Sequence, residues 1–197
     1  MMGNVIALEM FDFKEYYDKL AERLPSPCRF AEVGIADGAS AVYMAKKLSD
    51  LGKDFQMYWI ENFDYGGSKQ ITEVVKNLVE TDLGRRITLL PISSLDAAAS
   101  FNDGFFDAVF LDTSHEYKQT KAEIILWNKK IKDGGILAGH DYYLYEDVKF
   151  AVVELLPQQR VYNEDKSYFE SLEIFQTDKK YGVWQYTKNW QAPLRYV

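Results

Sequence analysis

Phe106-Asp107-Ala108-Val109-Phe110-Leu111-Asp112-Thr113-Ser114-His115-Glu116-Tyr117 carries an unbroken apolar run at 108–111, followed at once by an acid, two hydroxyls and an imidazole. A short apolar run bounded by polar residues reads as a strand buried on both faces, the kind found at the centre of a parallel sheet. Residues 117–130 continue as a helix, and Gly134-Gly135 opens another apolar strand at 136–139. Upstream, residues 29–33, 55–60 and 87–90 read as strands. They are separated by helical periodicity at 39–51, 70–82 and 95–101. In the second of these helices Ile71, Val74, Val75 and Leu78 fall on one face, an amphipathic pattern.

Residues 13–24 form an amphipathic pattern ended by Pro25-Ser26-Pro27, and residues 146–156 form a helix stopped by Pro157. Two extended runs close the chain, 172–176 and 181–187, with Asp178-Lys179-Lys180 as the loop between them. Five alternations of strand and helix predict an α/β doubly wound sheet, parallel strands with right-handed crossovers and helices on both faces.

Composition narrows the function. The 197 residues fit one domain. Twenty-three basic against 30 acidic residues give a net charge of −7, which argues against a protein that tracks a nucleic-acid backbone. The single cysteine, Cys28, excludes an internal disulfide framework and a cysteine zinc cluster, and points to a reducing, cytoplasmic setting. The start, Met1-Met2-Gly3-Asn4-Val5, lacks the basic segment of a secretory signal, and no apolar run approaches the ~20 residues of a membrane span.

In an open α/β sheet, ligands bind beyond the carboxyl ends of the strands. The first strand ends in Glu32-Val33-Gly34-Ile35-Ala36-Asp37-Gly38-Ala39-Ser40. Small residues there let backbone approach a ligand, but the spacing is not G-x-G-x-x-G, and the flanking Glu32 and Asp37 suit a ligand bearing positive charge rather than phosphate. A bare strand–helix turn is the alternative. The second strand ends in Glu61, whose carboxylate is suited to two ribose hydroxyls, or is simply a solvated loop acid. After the third strand, Ser93 suits an adenine edge, while an N-cap for the following helix fits Ser94 equally. The fourth and fifth strands end in Asp112-Thr113-Ser114-His115 and His140-Asp141, so both histidines of the chain lie at strand ends beside an aspartate. Asp112 and Asp141 offer hard oxygen ligands for Mg²⁺ or Mn²⁺, and an imidazole from His140 shifts the preference toward a borderline metal.

These residues resemble a known family. Glu32-Val33-Gly34-x-x-x-Gly38 is similar to motif I of class I S-adenosylmethionine-dependent methyltransferases. The stretch F-D-A-V-F-L-D-T-S-H-E-Y with W-N-K-K-I-K-D-G-G-I-L-A-G-H-D-Y resembles the small bacterial macrocin- and catechol-type O-methyltransferases, over about residues 28–156. The ending Tyr181-Gly182-Val183-Trp184 fits that family's closing hairpin. The resemblance implies a Rossmann-like sheet of seven strands, mostly parallel, with an antiparallel C-terminal hairpin strand. It divides the chain into a helical segment at 1–27, a cofactor core at 28–156 and a hairpin region at 157–197 of one domain.

It also implies S-adenosylmethionine as cofactor, with Glu32, Gly34, Asp37, Gly38, Ser40, Glu61, Ser93 and Asp112 around it. A divalent metal, Mg²⁺ or Mn²⁺, would be held on Asp112, His140 and Asp141, with Asp112 also catalytic. The family's lysine base, three residues after the first metal aspartate, falls on His115, and an imidazole is a competent base near neutral pH. Ala36 stands where the family commonly has glycine, and His140 where catechol-type members have a carboxylate. Phe63, Tyr65, Tyr117, Tyr142, Tyr143 and Tyr145 lie near the strand ends and either wall the acceptor site or pack in the core. The expected activity is methylation of a small hydroxylated acceptor, a sugar or natural product, with no nucleic acid or membrane partner and a homodimer as the assembly. A nicotinamide-dependent oxidoreductase and a non-catalytic nucleoside-binding domain are the alternatives.

Overall fold

Val33 pairs with Ile60 on one side and Leu111 on the other, Ile60 pairs with Leu90, and Leu111 with Gly139. Five strands thus end abreast along one edge of a sheet. The computed structural model describes residues 11–64, 66–156, 160–162, 168–170, 172–175 and 181–188. In chain order the elements are α1 (Lys14–Arg23), β1 (Cys28–Val33), α2 (Ala39–Asp50), β2 (Phe55–Ile60), α3 (Gly67–Glu80), β3 (Ile87–Leu90), α4 (Ser94–Ala99), β4 (Phe106–Leu111), α5 (Tyr117–Lys130), β5 (Ile131–Gly139), α6 (Glu146–Leu155), β6 (Arg160–Tyr162), β7 (Tyr168–Glu170), β8 (Leu172–Phe175) and β9 (Val183–Thr187). Seven strands form one sheet in the order β3-β2-β1-β4-β5-β9-β8. β1 to β5 are parallel, and β9 is antiparallel to both β5 and β8. The expected Rossmann-like sheet with its antiparallel C-terminal strand is the fold observed.

Each central strand is buried on both faces, as its apolar run requires. Phe30, Met57, Trp59, Ala108 and Phe110 pack on the face covered by α1 and α2. Ala31, Val33, Ile60, Val109 and Leu111 pack on the face covered by α4, α5 and α6. Chain order reverses between β1 and β4, so the loops after these two strands diverge and leave the crevice where such sheets bind ligands.

Three local readings change. α3 turns Gln70, Val74 and Asn77 inward, while Ile71 and Val75 are exposed and Leu78 is only partly buried. The cause is polar: Asn77 Nδ2 donates to the Asp37 carbonyl at 2.9 Å, tying the helix to the loop after β1. β5 starts five residues early, at Ile131, and passes an irregularity opposite residues 106–108 where Gly134 adopts φ +80°. The antiparallel β6–β7 pair was not anticipated. The loop expected at 178–180 lies outside the described residues. Among the described residues no helix is long and apolar enough to cross a membrane.

Candidate functional site

The loop after β1 is shaped by its backbone. Gly34 has φ +87°, and a Cβ there would fall 1.9 Å from the Asp112 carbonyl oxygen, so only glycine lets β1 and β4 end this close together. The Asp112 amide donates back to the Val33 carbonyl at 2.8 Å. Gly38 caps α2 in the left-handed region, φ +86°. Ala36 is also left-handed at φ +48°, a conformation that costs an alanine ~1–2 kcal/mol. Glu61 holds that turn: its Oε2 accepts from the Ala36 amide at 3.0 Å and its Oε1 from the Phe63 amide at 3.2 Å. A carboxylate has about four lone-pair positions, so two remain for a ligand.

A cleft of about 520 Å³ opens over this loop. It brings together Gly34, Asp37, Ser40 and Asp112 from the expected set. Phe11 and Phe13 wall one side, and Lys69, Gln70 and Glu73 of α3 the other. Glu32, Gly38, Glu61 and Ser93 do not line it. Gln70 Oε1 is buried with no hydrogen-bond partner among the described residues, an acceptor available to a ligand. Nothing in the sequence marked it, because a glutamine in the first turn of a helix reads as solvated surface.

Glu32 sits behind the cleft, fully buried at a β1 position that faces the α1–α2 core. Ser40 donates its hydroxyl to Glu32 Oε1, while Oε2 has no directed partner among the described residues. Burial pushes the Glu32 carboxyl up to about 8, against the lowering influence of Ser40 and of the nearby Tyr17 hydroxyl. Ser93 is committed elsewhere. It is the N-cap of α4, accepting from the Asp96 amide at 3.2 Å and donating to Asp96 Oδ2 at 2.7 Å. The cap expected at Ser94 therefore belongs to Ser93; Ser94 is buried and accepts from Trp127 Nε1 at 3.0 Å.

The ends of β4 and β5 supply side chains instead. Ligating atoms of Asp112, His115 and Asp141 lie within 4.8 Å of one another. His115 Nε2 is 2.6 Å from Asp141 Oδ2. His140 Nδ1 is 3.4 Å from Asp141 Oδ1 and 3.9 Å from Asp112 Oδ1. The sequence reading gave the metal to His140 and the proton to His115. In the structure His115 stands in the tightest group, and His140 turns its Nε2 away to Asp12 Oδ1 at 2.8 Å. Asp12 was missed: an acid just ahead of a helix reads as a cap, yet the cap of α1 is Phe13, with no side-chain bond.

Charge is concentrated here. Burial raises Asp112 to about 6, partly offset by His140. Burial pulls His140 down, but contacts with Asp12, Asp141 and Asp112 carry it up to about 10. Burial also raises Asp141, and its contacts with His115 and His140 outweigh that and hold it well below the ordinary carboxylate range. Asp141 has φ +62°, a left-handed backbone that a non-glycine residue keeps only where its surroundings impose it.

The expected aromatic walls divide between core and surface. Phe63 and Tyr142 are buried in the two hydrophobic clusters, and Tyr117 donates its hydroxyl to Glu154 on α6. Tyr143 is exposed, and Tyr65 lies outside the described residues. Tyr145 does reach the site, stacked on His115 at 4.0 Å and 10°. Tyr181 stacks on His140 at 5.5 Å, and Phe13 packs against the same ring at 4.8 Å.

Comparison with known proteins follows the same outline. No curated protein sequence matches the chain. Its fold is similar to the O-methyltransferase NovP, with 19% identity over 90% of this chain and 80% of that one, TM-score 0.66. It is similar also to a Streptococcus mutans protein classed as a methyltransferase and solved in complex with SAH, with 13% identity over 90% and 98% of the two chains, TM-score 0.65. A third, from Clostridium thermocellum and classed as an rRNA methylase, has 14% identity over 90% and 97%, TM-score 0.63. At these identities the likeness is one of fold. The sequence pattern of the methyltransferase domain matches residues 31–142, which span the loop after β1 and both aspartates at the ends of β4 and β5. With its seven-stranded sheet, the chain belongs to the class I S-adenosylmethionine-dependent methyltransferases.

Proposed function

We propose that this methyltransferase acts on a hydroxyl oxygen of a small acceptor, a sugar or natural product, seated over Asp112, His115 and Asp141. The convergence of these three residues beside the cofactor cleft, with Asp112 common to both, carries the reading. The C–S bond of the sulfonium breaks, the C–O bond forms and the acceptor's hydroxyl proton leaves. Alignment of donor and acceptor is most of the catalytic task. The net charge of −7 disfavours an RNA acceptor, and the one buried cysteine suits a cytoplasmic enzyme.

The donor set fits a divalent cation. Asp141 Oδ1 and His115 Nε2 are buried atoms without directed hydrogen bonds among the described residues, and two carboxylates with an imidazole suit Mn²⁺ as well as Mg²⁺. Asp112, His115 and Asp141 would hold the ion, and such an ion makes a bound hydroxyl more acidic. Tyr145 fixes the His115 ring by stacking. The 2.6 Å contact of His115 with Asp141 favours a second, metal-free reading in which this pair accepts the proton directly.

Methyl transfer from labelled S-adenosylmethionine to a panel of hydroxylated sugars and natural products tests the proposal. His115→Ala is expected to lower kcat about 10²–10⁴-fold with cofactor affinity unchanged. Exhaustive chelation separates the readings: loss of turnover restored by Mn²⁺ supports the metal, and full activity without metal leaves the His115–Asp141 pair. Methylation confined to nitrogen or carbon acceptors would overturn O-methylation.

A further inference from the structure

Phe11, Asp12 and Phe13 lead into α1 and touch both ends of the cleft. Phe11 and Phe13 line its cofactor side, and Phe13 is anchored on Phe110 of β4, ring centroids 4.8 Å apart. Asp12, between them, brings Oδ1 to 2.8 Å from His140 Nε2, an ion-pair contact with the ring. His140 is 9% exposed, stacked on Tyr181 and packed against Phe13. With Nε2 on Asp12, Nδ1 faces Asp141 Oδ1 at 3.4 Å and Asp112 Oδ1 at 3.9 Å. An imidazole has two nitrogens, and whichever is engaged by an outer partner determines what the other does.

We propose that Asp12 is a positioning residue of the acceptor site: it engages Nε2 of His140, so that Nδ1 is the nitrogen presented to the Asp112–Asp141 pair. Carboxylates that hold the far nitrogen of a site histidine fix its ring orientation, and their removal typically weakens the site 10–100-fold. The same tripeptide walls the cofactor cleft through Phe11 and Phe13, so seating of this segment completes both ends of the site together. Asp12 lies outside the matched family region of 31–142. The part of the inference that concerns metal affinity rests on the function proposed above; the part that concerns the ring does not.

Two measurements test it. The chain has two histidines, so the imidazole N–H signals of the metal-free protein are few and are assigned with His140→Gln. The expected result is a downfield, slowly exchanging Hε2 signal for His140 that Asp12→Ala abolishes, while Tm stays near wild type. Should Asp12→Ala unfold, Asp12→Asn, which keeps shape but removes charge, is expected to shift the signal and speed its exchange. Mn²⁺ titration is expected to show a loss of affinity in Asp12→Asn of up to about 10-fold, the low end of what an outer partner of a ligating histidine supplies, because His140 stands beside the proposed ligands. An Hε2 signal and a Mn²⁺ affinity unchanged in both variants would overturn the proposal. Wild-type protein that binds no Mn²⁺ would sink the metal reading alone, and the N–H signal, read without metal, would still decide Asp12.

Discussion

At the end of β1 the geometry is set by backbone; at the ends of β4 and β5 it is set by side chains. The first is held by a glycine pressed on the Asp112 carbonyl, a left-handed Ala36 and an N-cap glycine, with Glu61 accepting two amides behind them. Its geometry follows from φ angles and strand spacing, and few residue types satisfy it. The second is two aspartates and two histidines whose arrangement depends on rotamers, and on Asp12, Phe13, Tyr145 and Tyr181 from other parts of the chain. One end is therefore coupled to folding, and the other can change its chemistry while the sheet stays as it is.

Substitutions sharpen that contrast. Gly34→Ala forces a left-handed alanine into a backbone oxygen and is expected to cost ~2–5 kcal/mol of stability in urea unfolding. It should also weaken cofactor binding, because the same loop lines the cleft; a variant as stable as wild type would break the claim that this end is built by backbone. Glu61→Ala is expected to lose ~2–4 kcal/mol of S-adenosylhomocysteine affinity by calorimetry, through the freed Ala36 amide and the loss of the lone-pair positions expected to meet a ribose. Equal affinities would remove Glu61 from the site.

Glu32 gives a pH signature. Its carboxyl titrates near 8 when folded against an ordinary 4.5, so between those values the unfolded chain releases a proton that the folded chain keeps. Stability should fall as pH rises through that window, by about 1–5 kcal/mol, and level off above it. Glu32→Gln cannot ionise, and its urea midpoint should be flatter from pH 5 to pH 8; a slope equal to that of wild type would show that Glu32 is not the source. The smallest effect is expected at Ala36→Gly. Relief of left-handed strain and the greater freedom of an unfolded glycine oppose each other at ~1 kcal/mol each, so stability should change by less than about 1 kcal/mol. A large change in either direction would show that the turn is not set by φ alone.

The parts legible in the sequence were those that obey a local rule. Residues 108–111 announced a central strand because burial on both faces leaves no room for alternation, and Gly34 and Gly38 marked a turn because their φ angles exclude most residues. Asp112, Asp141 and both histidines were legible as types at strand ends. Their pairings were not, since whether His140 faces a metal site or Asp12 depends on a segment well over 100 residues away. The inward face of α3 was legible only in part: Val74 is buried and Leu78 partly so, while Ile71 and Val75 are exposed where Asn77 hydrogen-bonds the Asp37 carbonyl.

Gly139 ends β5 with Trp184 so close that a Cβ would meet its ring at 2.5 Å, and Tyr142 and Tyr143 donate to the carbonyls of Gly182 and Tyr181 at 3.1 Å. The turn that carries His140 and Asp141 is thus braced by the last strand of the sheet. On a ribosome that brace arrives late. At ~5–20 residues per second, several seconds separate synthesis of His140 from that of β9. A nascent chain can close the loop after β1 against β4 while its histidine turn still lacks the backbone partners that shape it. Chemistry is the last property this protein acquires as it is made.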